Sequence, residues 1–182
     1  MSKAFSIKVD TLEIKVKTKT VLDNYLNAIG AAAMMTGTEC VNDARDNGSY
    51  NNITGNLRSS IGSTVLHDGE TLLGPSFKQY KGKGSVVSYV DFTDKNTGKK
   101  VSFIARGKDG DGSEGMRKGA EFLATLVENY KNVTGFVILV SAGMEYARYV
   151  EEIHGKNVLT SAFLLAKEKL PQYLSEINKK DV

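Results

Sequence analysis

Two periods of apolar residues alternate along this chain, and their order predicts its elements. Phe5, Ile7 and Val9 alternate with polar residues, and after a shift of phase at Asp10 so do Leu12, Ile14 and Val16. A period of two reads as strand, bend or bulge, then strand. From Leu22 the spacing lengthens. Leu22, Leu26, Ile29, Ala33, Cys40, Val41 and Ala44 recur near helical spacing, and Thr20 with Asp23 resembles a capping arrangement. Gly30, Gly37 and three consecutive alanines leave one face thin, which predicts a closely packed second helix. The stretch from Asp46 to Asn52, rich in Asn, Gly and Ser, then reads as a loop.

The second half changes period again. Thr54 is placed to cap a short helix carrying Leu57 and Ile61, stopped by Gly62. Ser63 to Leu66 and Thr71 to Leu73 read as brief strands around His67-Asp68-Gly69. Ser85 to Phe92 and Lys99 to Ala105 predict a longer hairpin turning at residues 96–98, followed by a glycine-rich charged loop over 106–115. Phe122, Leu123, Leu126, Val127 and Tyr130 mark an amphipathic helix. The unbroken apolar run from Phe136 to Val140 predicts a strand covered on both faces and central in its sheet. Met144, Ala147, Val150 and Ile153 predict a short helix. Phe163, Leu170, Leu174 and Ile177 predict a last one, kinked or broken at Pro171. The sum is an α+β fold, an antiparallel or mixed sheet packed against a long N-terminal helix and C-terminal helices. Residues 1–182 read as one domain, with an extended hairpin and loop inserted at about 78–119.

Composition narrows the class. At 182 residues, 41% apolar and 25% charged, the chain is long enough to bury its own core, and no apolar run reaches the length of a membrane span. Residues 1–10 lack the apolar centre of a secretory signal, so export is not expected. Cys40, the single cysteine, sits among small apolar residues and reads as a buried hydrophobe. The net charge of +3 is low for a dedicated nucleic-acid binder. Locally it is uneven: residues 78–108 hold eight Lys or Arg against two Asp, a balance of +6, and residues 109–128 hold five acids against two bases, a balance of −3.

Each pattern that invites chemistry has a plainer competitor. Gly110, Gly112 and Gly115 match a dinucleotide fingerprint in spacing, but Asp109, Asp111 and Glu114 would repel a diphosphate and no βαβ unit surrounds them. They read as a flexible surface loop. Asp109, Asp111 and Ser113 begin like a calcium loop, yet Glu114 stands where glycine is needed and Ala120 where the bidentate acid belongs. His67 and His154 lack a second ligand at metal spacing and read as surface loop residues. No serine lies in a nucleophile elbow, and Glu151 and Glu152 are adjacent, hence divergent on a helix. No catalytic constellation, cofactor site or metal site emerges.

Two segments carry a family likeness. Ile53-Thr54-Gly55-Asn56-Leu57-Arg58-Ser59-Ser60-Ile61 resembles the Thr-Gly-x-Leu-x-x-Ser-Ile signature of the bacteriophage head-tail joining family, the neck and tail-completion proteins of long-tailed phages. Phe136 to Ser141 followed by Tyr146-Ala147-Arg148-Tyr149-Val150-Glu151 resembles that family's strand and Tyr-Ala-x-x-Val-Glu helix, with Phe163-Leu164 where its final helix begins. The layout is similar from Thr20 to Ile177. Three departures stand beside it: a delayed Gly155, Ser161-Ala162 in place of a proline, and a longer stretch over 78–119.

The resemblance implies a non-enzymatic virion component, assembled in the bacterial cytoplasm. It would be a subunit of a ring, a hexamer or dodecamer, that joins head to tail and lets genomic DNA pass without sequence-specific binding. Tail-terminator and other tail subunits share related folds and are implied as well. Under this reading Thr54, Gly55, Leu57, Ser60, Ile61, Tyr146, Ala147, Val150, Glu151 and Phe163 are structural positions. Arg148, Tyr149, Lys81, Lys83, Lys99 and Lys100 are candidate contacts with neighbouring subunits or other virion proteins. The alternative class is a small nucleotide-binding protein using the 106–115 loop, or a nucleic-acid binder using the basic 78–108 hairpin.

Overall fold

A computed structural model describes residues 11–84, 88–93, 97–105 and 109–180. The elements are α1 (Thr11–Asp46), α2 (Asn56–Ser59), β1 (Ile61–His67), β2 (Glu70–Leu73), β3 (Ser88–Thr93), β4 (Lys100–Ala105), α3 (Ser113–Asn129), β5 (Phe136–Ala142), α4 (Ala147–Glu152) and α5 (Thr160–Lys180). The fold is α+β. An antiparallel sheet ordered β2-β1-β5 forms the middle layer, and β3 pairs with β4 in a separate two-stranded ribbon.

Strand alternation divides the core. Ile61, Val140 and Ala142 face α1 and α5, joining Cys40, Val41, Ala44 and Ala162. Leu66, Leu139 and Val137 face the opposite way, onto Leu123, Leu126 and Val127 of α3. Both faces of β1 are thus covered, and Ile61, Val65 and Leu66 are fully buried, each worth about 1.5–3 kcal/mol of apolar burial. At Asp68-Gly69 both residues have positive φ, 51° and 80°, which suits the tight turn joining β1 to β2. His67 is the last residue of β1, its ring stacked on Phe136 at 4.2 Å, and so is not a loop residue.

Several expectations are corrected. Leu12, Ile14 and Val16 lie in α1, where a strand is predicted, and Thr20 is inside that helix and not at its start. The strand predicted at Phe5 to Val9 lies outside the described residues. β5 is not central: among the described residues it pairs with β1 alone, and its continuous apolar run reflects helices covering its two faces. α5 packs closely along α1 as expected, through Cys40, Ala44 and Ala162, but the two helical glycines face the sheet. A Cβ on Gly30 would touch Leu72 and Phe136, and one on Gly37 would touch Ile138 and Ser63. α5 runs as one helix through Pro171, with Pro171 and Lys167 both exposed, so the carbonyl that loses its amide donor lies on the solvent side. Leu22, Phe122, Ile153 and Phe163, each predicted on an apolar stripe, are exposed.

α5 is tied to α1 by polar contacts as well as apolar ones. Tyr173 Oη donates to Glu39, Ser161 Oγ to Asp43, and the Cys40 thiol lies 3.2 Å from the Ala162 carbonyl. Burial pushes that thiol up to about 11, the physical form of an inert cysteine. No helix among the described residues is long and apolar enough to cross a membrane.

Candidate functional site

The two segments that carry the family likeness face each other across one groove. Asn52 to Leu57 form one wall, and Met144 to Tyr146 with Val150 form the other. Glu114 and Lys118 of α3, and His154 and Lys156 beyond α4, complete a cavity of about 750 Å³.

The first wall is held by close backbone approaches. Gly55 has φ 81° at the start of α2, and a Cβ there would stand 1.9 Å from the Tyr80 carbonyl oxygen, so the motif glycine fits for both reasons. Gly55, and not Thr54, is the residue preceding the helix. Thr54 instead accepts the Asn56 N–H through Oγ1 at 3.4 Å. Ser59 Oγ accepts the Tyr80 N–H at 2.8 Å, and Ser60 Oγ donates to the Leu57 carbonyl at 2.8 Å. Leu57 and Ile61 are buried, but Ile61 opens β1 and does not continue α2.

The glycine run reads differently in three dimensions. α3 begins at Ser113, so Gly115 is helical and the stretch is not a flexible loop to its end. A Cβ on Gly110 would meet the Thr54 carbonyl oxygen at 2.6 Å, one on Gly112 the Tyr80 oxygen at 2.3 Å, and one on Gly115 the Asn56 oxygen at 1.9 Å. The segment Tyr80 to Gly84 lies between, with the Gly82 N–H donating to the Gly110 carbonyl at 2.7 Å and the Lys83 N–H to that of Asn52 at 2.8 Å. These glycines are a packing seam. Asp111 turns onto its own chain, accepting the Ser113 N–H at 2.9 Å and hydroxyl at 2.7 Å, which hold its carboxyl below the usual range.

On the opposite wall, Ala147 is buried with Met144 and Val158, and Val150 packs against that cluster. Burial pushes the Tyr146 phenol above its ordinary range, and the nearby Thr54 side chain and Lys118 charge oppose that rise. Glu151 Oε1 accepts the N–H groups of Val158, Leu159 and Thr160 at 3.3, 3.0 and 2.8 Å, and the Thr160 hydroxyl at 2.7 Å. It caps α5 from the neighbouring helix.

The rim is polar, and on its α3 side the groups pair with one another. Asn56 Nδ2 donates to Glu114 at 2.9 Å, and Lys118 Nζ lies 3.1 Å from Glu145 and 3.9 Å from Glu114. Among the described residues no group of three His, Cys, Asp or Glu side chains converges as metal ligands would. What the groove offers is an apolar floor with a charged rim, a surface for shape recognition.

The remaining predicted positions lie outside it. Arg148 is exposed and paired with Glu152 at 2.9 Å, and Tyr149 is 54% exposed, its ring edge-on to His154. Phe163 and Leu164 are each 60% exposed on the first turn of α5. Lys81 and Lys83 project near the groove wall, while Lys99 and Lys100 lie at the far end of the ribbon, and all are exposed.

Sequence reasoning missed Arg45. It is 5% exposed, and its Nη2 donates to the Ile61 carbonyl at 2.6 Å and to that of Ser76 at 3.0 Å. Its guanidinium lies over the Tyr80 ring, as do those of Arg58 and the ammonium of Lys78, at 5.7, 5.6 and 5.3 Å. An arginine on an otherwise small-residue helix end was the available signal.

Compared with family models, curated proteins and solved structures, the chain gives no match.

Proposed function

We propose that this chain is a structural subunit of a tailed-phage virion, a neck or tail-completion protein that assembles into a ring joining head to tail. The observation carrying this reading is the meeting of the two family-like segments across a single groove, which Thr54, Gly55 and Leu57 line from one side and Tyr146 and Val150 from the other. Four motif residues have packing or capping tasks: Gly55 allows close approach, Leu57 and Ala147 are in the core, and Glu151 is a helix cap. That pattern of roles is what a scaffold needs, since its product is a shaped surface.

A ring needs two different surfaces that fit each other around a closing rotation. The corner where α4 meets α5 supplies one candidate. Tyr149 and Ile153, at and just beyond α4, and Phe163 and Leu164, early in α5, are all more than half exposed, and Arg148 is exposed next to Tyr149 in the chain. Aromatic and arginine side chains are the usual anchors of protein contacts. Light scattering with electron microscopy of the purified protein tests the reading. Closed rings are the expected result, and a chain that stays monomeric at every concentration, alone and with connector proteins, would overturn it.

A further inference from the structure

The basic hairpin has a property that neither the groove nor the α4–α5 corner explains. From Thr71 to Val90 and from Lys95 to Lys108 the sequence contains no acid, and the only acids between are Asp91 and Asp94. Asp91 is engaged by the Ser102 hydroxyl at 3.3 Å. Lys81, Lys83, Lys99 and Lys100 are exposed, and among the described residues none has a carboxylate within ion-pair distance. The acids of α3 are occupied elsewhere: Glu114 with Lys118, Glu121 with Arg117, and Glu128 with Lys131. The positive charge of the hairpin is therefore not balanced within the described chain.

Geometry adds direction to that charge. Lys81 and Lys83 are two positions apart on a segment fixed by backbone hydrogen bonds to Asn52, Ile53 and Gly110. Lys100 pairs across the ribbon with Thr93, and Ala105 with Ser88, so the paired part extends about 17 Å at 3.4 Å per residue. Lys99 and Lys100 thus stand at one end of the antiparallel ribbon, and Lys81 and Lys83 lie on the fixed segment that precedes it in sequence. A two-stranded ribbon of this kind fits the major groove of a duplex, and spaced lysines suit a regular row of phosphates.

We infer that this ribbon and the segment preceding it bind the phosphate backbone of double-stranded DNA without reading its sequence, through Lys81, Lys83, Lys99 and Lys100. The inference deepens the ring reading by assigning the subunit's DNA-facing element, and rests on that reading only for where the contact occurs. Lysines serve it well because an ammonium is a point charge that tolerates sliding phosphates, where a forked guanidinium would fix a register.

The test is duplex binding by the full chain, followed by fluorescence anisotropy across a salt series. Four neutralised phosphates give a slope of about −3.6 in log affinity against log salt, or about 150-fold weaker binding between 50 and 200 mM. In K81A/K83A/K99A/K100A the slope should collapse toward zero, with thermal unfolding unchanged, and the matching Lys→Arg variant should retain it. Unchanged salt dependence in the alanine variant would overturn the inference. So would intact DNA binding with lost self-association, since the lysines would then belong to a subunit contact. A wild-type protein that stays monomeric yet shows the lysine-dependent slope supports this inference while removing the ring.

Discussion

The carboxylate of Glu151 accepts the backbone N–H of Thr160 at 2.8 Å, so the last turn of α4 caps the first turn of α5. Burial works against the ionised form, but the hydrogen bonds from Thr160, Leu159 and Val158 prevail and hold the carboxyl below its ordinary range.

A pH-dependent stability follows from that cap. Because the folded-state pKa is depressed, the stabilisation is full above the ordinary carboxylate value of about 4.3 and is lost as pH falls through the lower folded value. Glu151→Gln is expected to cost about 1–2 kcal/mol at pH 7, the range for a lost N-terminal cap. Urea denaturation at pH 7 and again near pH 3 checks it. The gap between wild type and variant should close in acid, and an equal gap at both pH values would show that the carboxylate charge is not what matters.

The glycine seam gives a second test. A methyl group on Gly115 would enter the space of the Asn56 carbonyl oxygen, so Gly115→Ala must push α2 from α3 and should cost about 1–3 kcal/mol. Gly74 has no neighbour within 4 Å, and Gly74→Ala should stay within about 0.5 kcal/mol of wild type. Equal stability of the two variants would mean that the seam is loose.

These results mark what the sequence could and could not disclose. Periodicity located β1, β2, α3, β5 and α5, because burial of one face is what writes a period into a strand or helix. It misjudged β5's place, since a continuous apolar run records coverage of both faces and not the number of strand neighbours. The central strand is β1, whose Gly62, Ser63 and Thr64 are buried without being apolar. Alternation over Leu12 to Val16 was too short to outweigh the lysine, glutamate and leucine content that favours helix. Glycines 110 to 115 looked like freedom and proved to be proximity, two meanings of one residue that only a neighbour can separate. The capping role of Glu151 depends on a loop returning α5 to it, which no local pattern encodes.

Arg45 ties α1 to the start of β1 and to the loop at Ser76, and should be costly to replace. Arg45→Met keeps much of the apolar stem but removes the donors to Ile61 and Ser76, leaving carbonyl oxygens without their charged partner. Hydrogen bonds from charged donors contribute about 1.5–3 kcal/mol each, so a loss of about 2–4 kcal/mol is expected after partial repair by water. Chemical denaturation midpoints measure it, and a change under about 0.5 kcal/mol would assign the anchoring to Tyr80 packing instead.

The α4–α5 corner can be tested without disturbing the fold. Arg148→Glu removes an exposed ion pair and sets two like charges one turn apart, a cost of a few tenths of a kcal/mol. Phe163→Ser removes an exposed ring whose centroid lies 4.5 Å from the Lys167 ammonium, and should also leave unfolding nearly unchanged. If this corner is a subunit surface, truncating such an anchor costs at least about 1.4 kcal/mol of association, which is tenfold in affinity. Sedimentation velocity over a concentration series should therefore show both variants shifted toward monomer while their melting curves overlay the wild type. Self-association unchanged in both would place the contact elsewhere on the molecule.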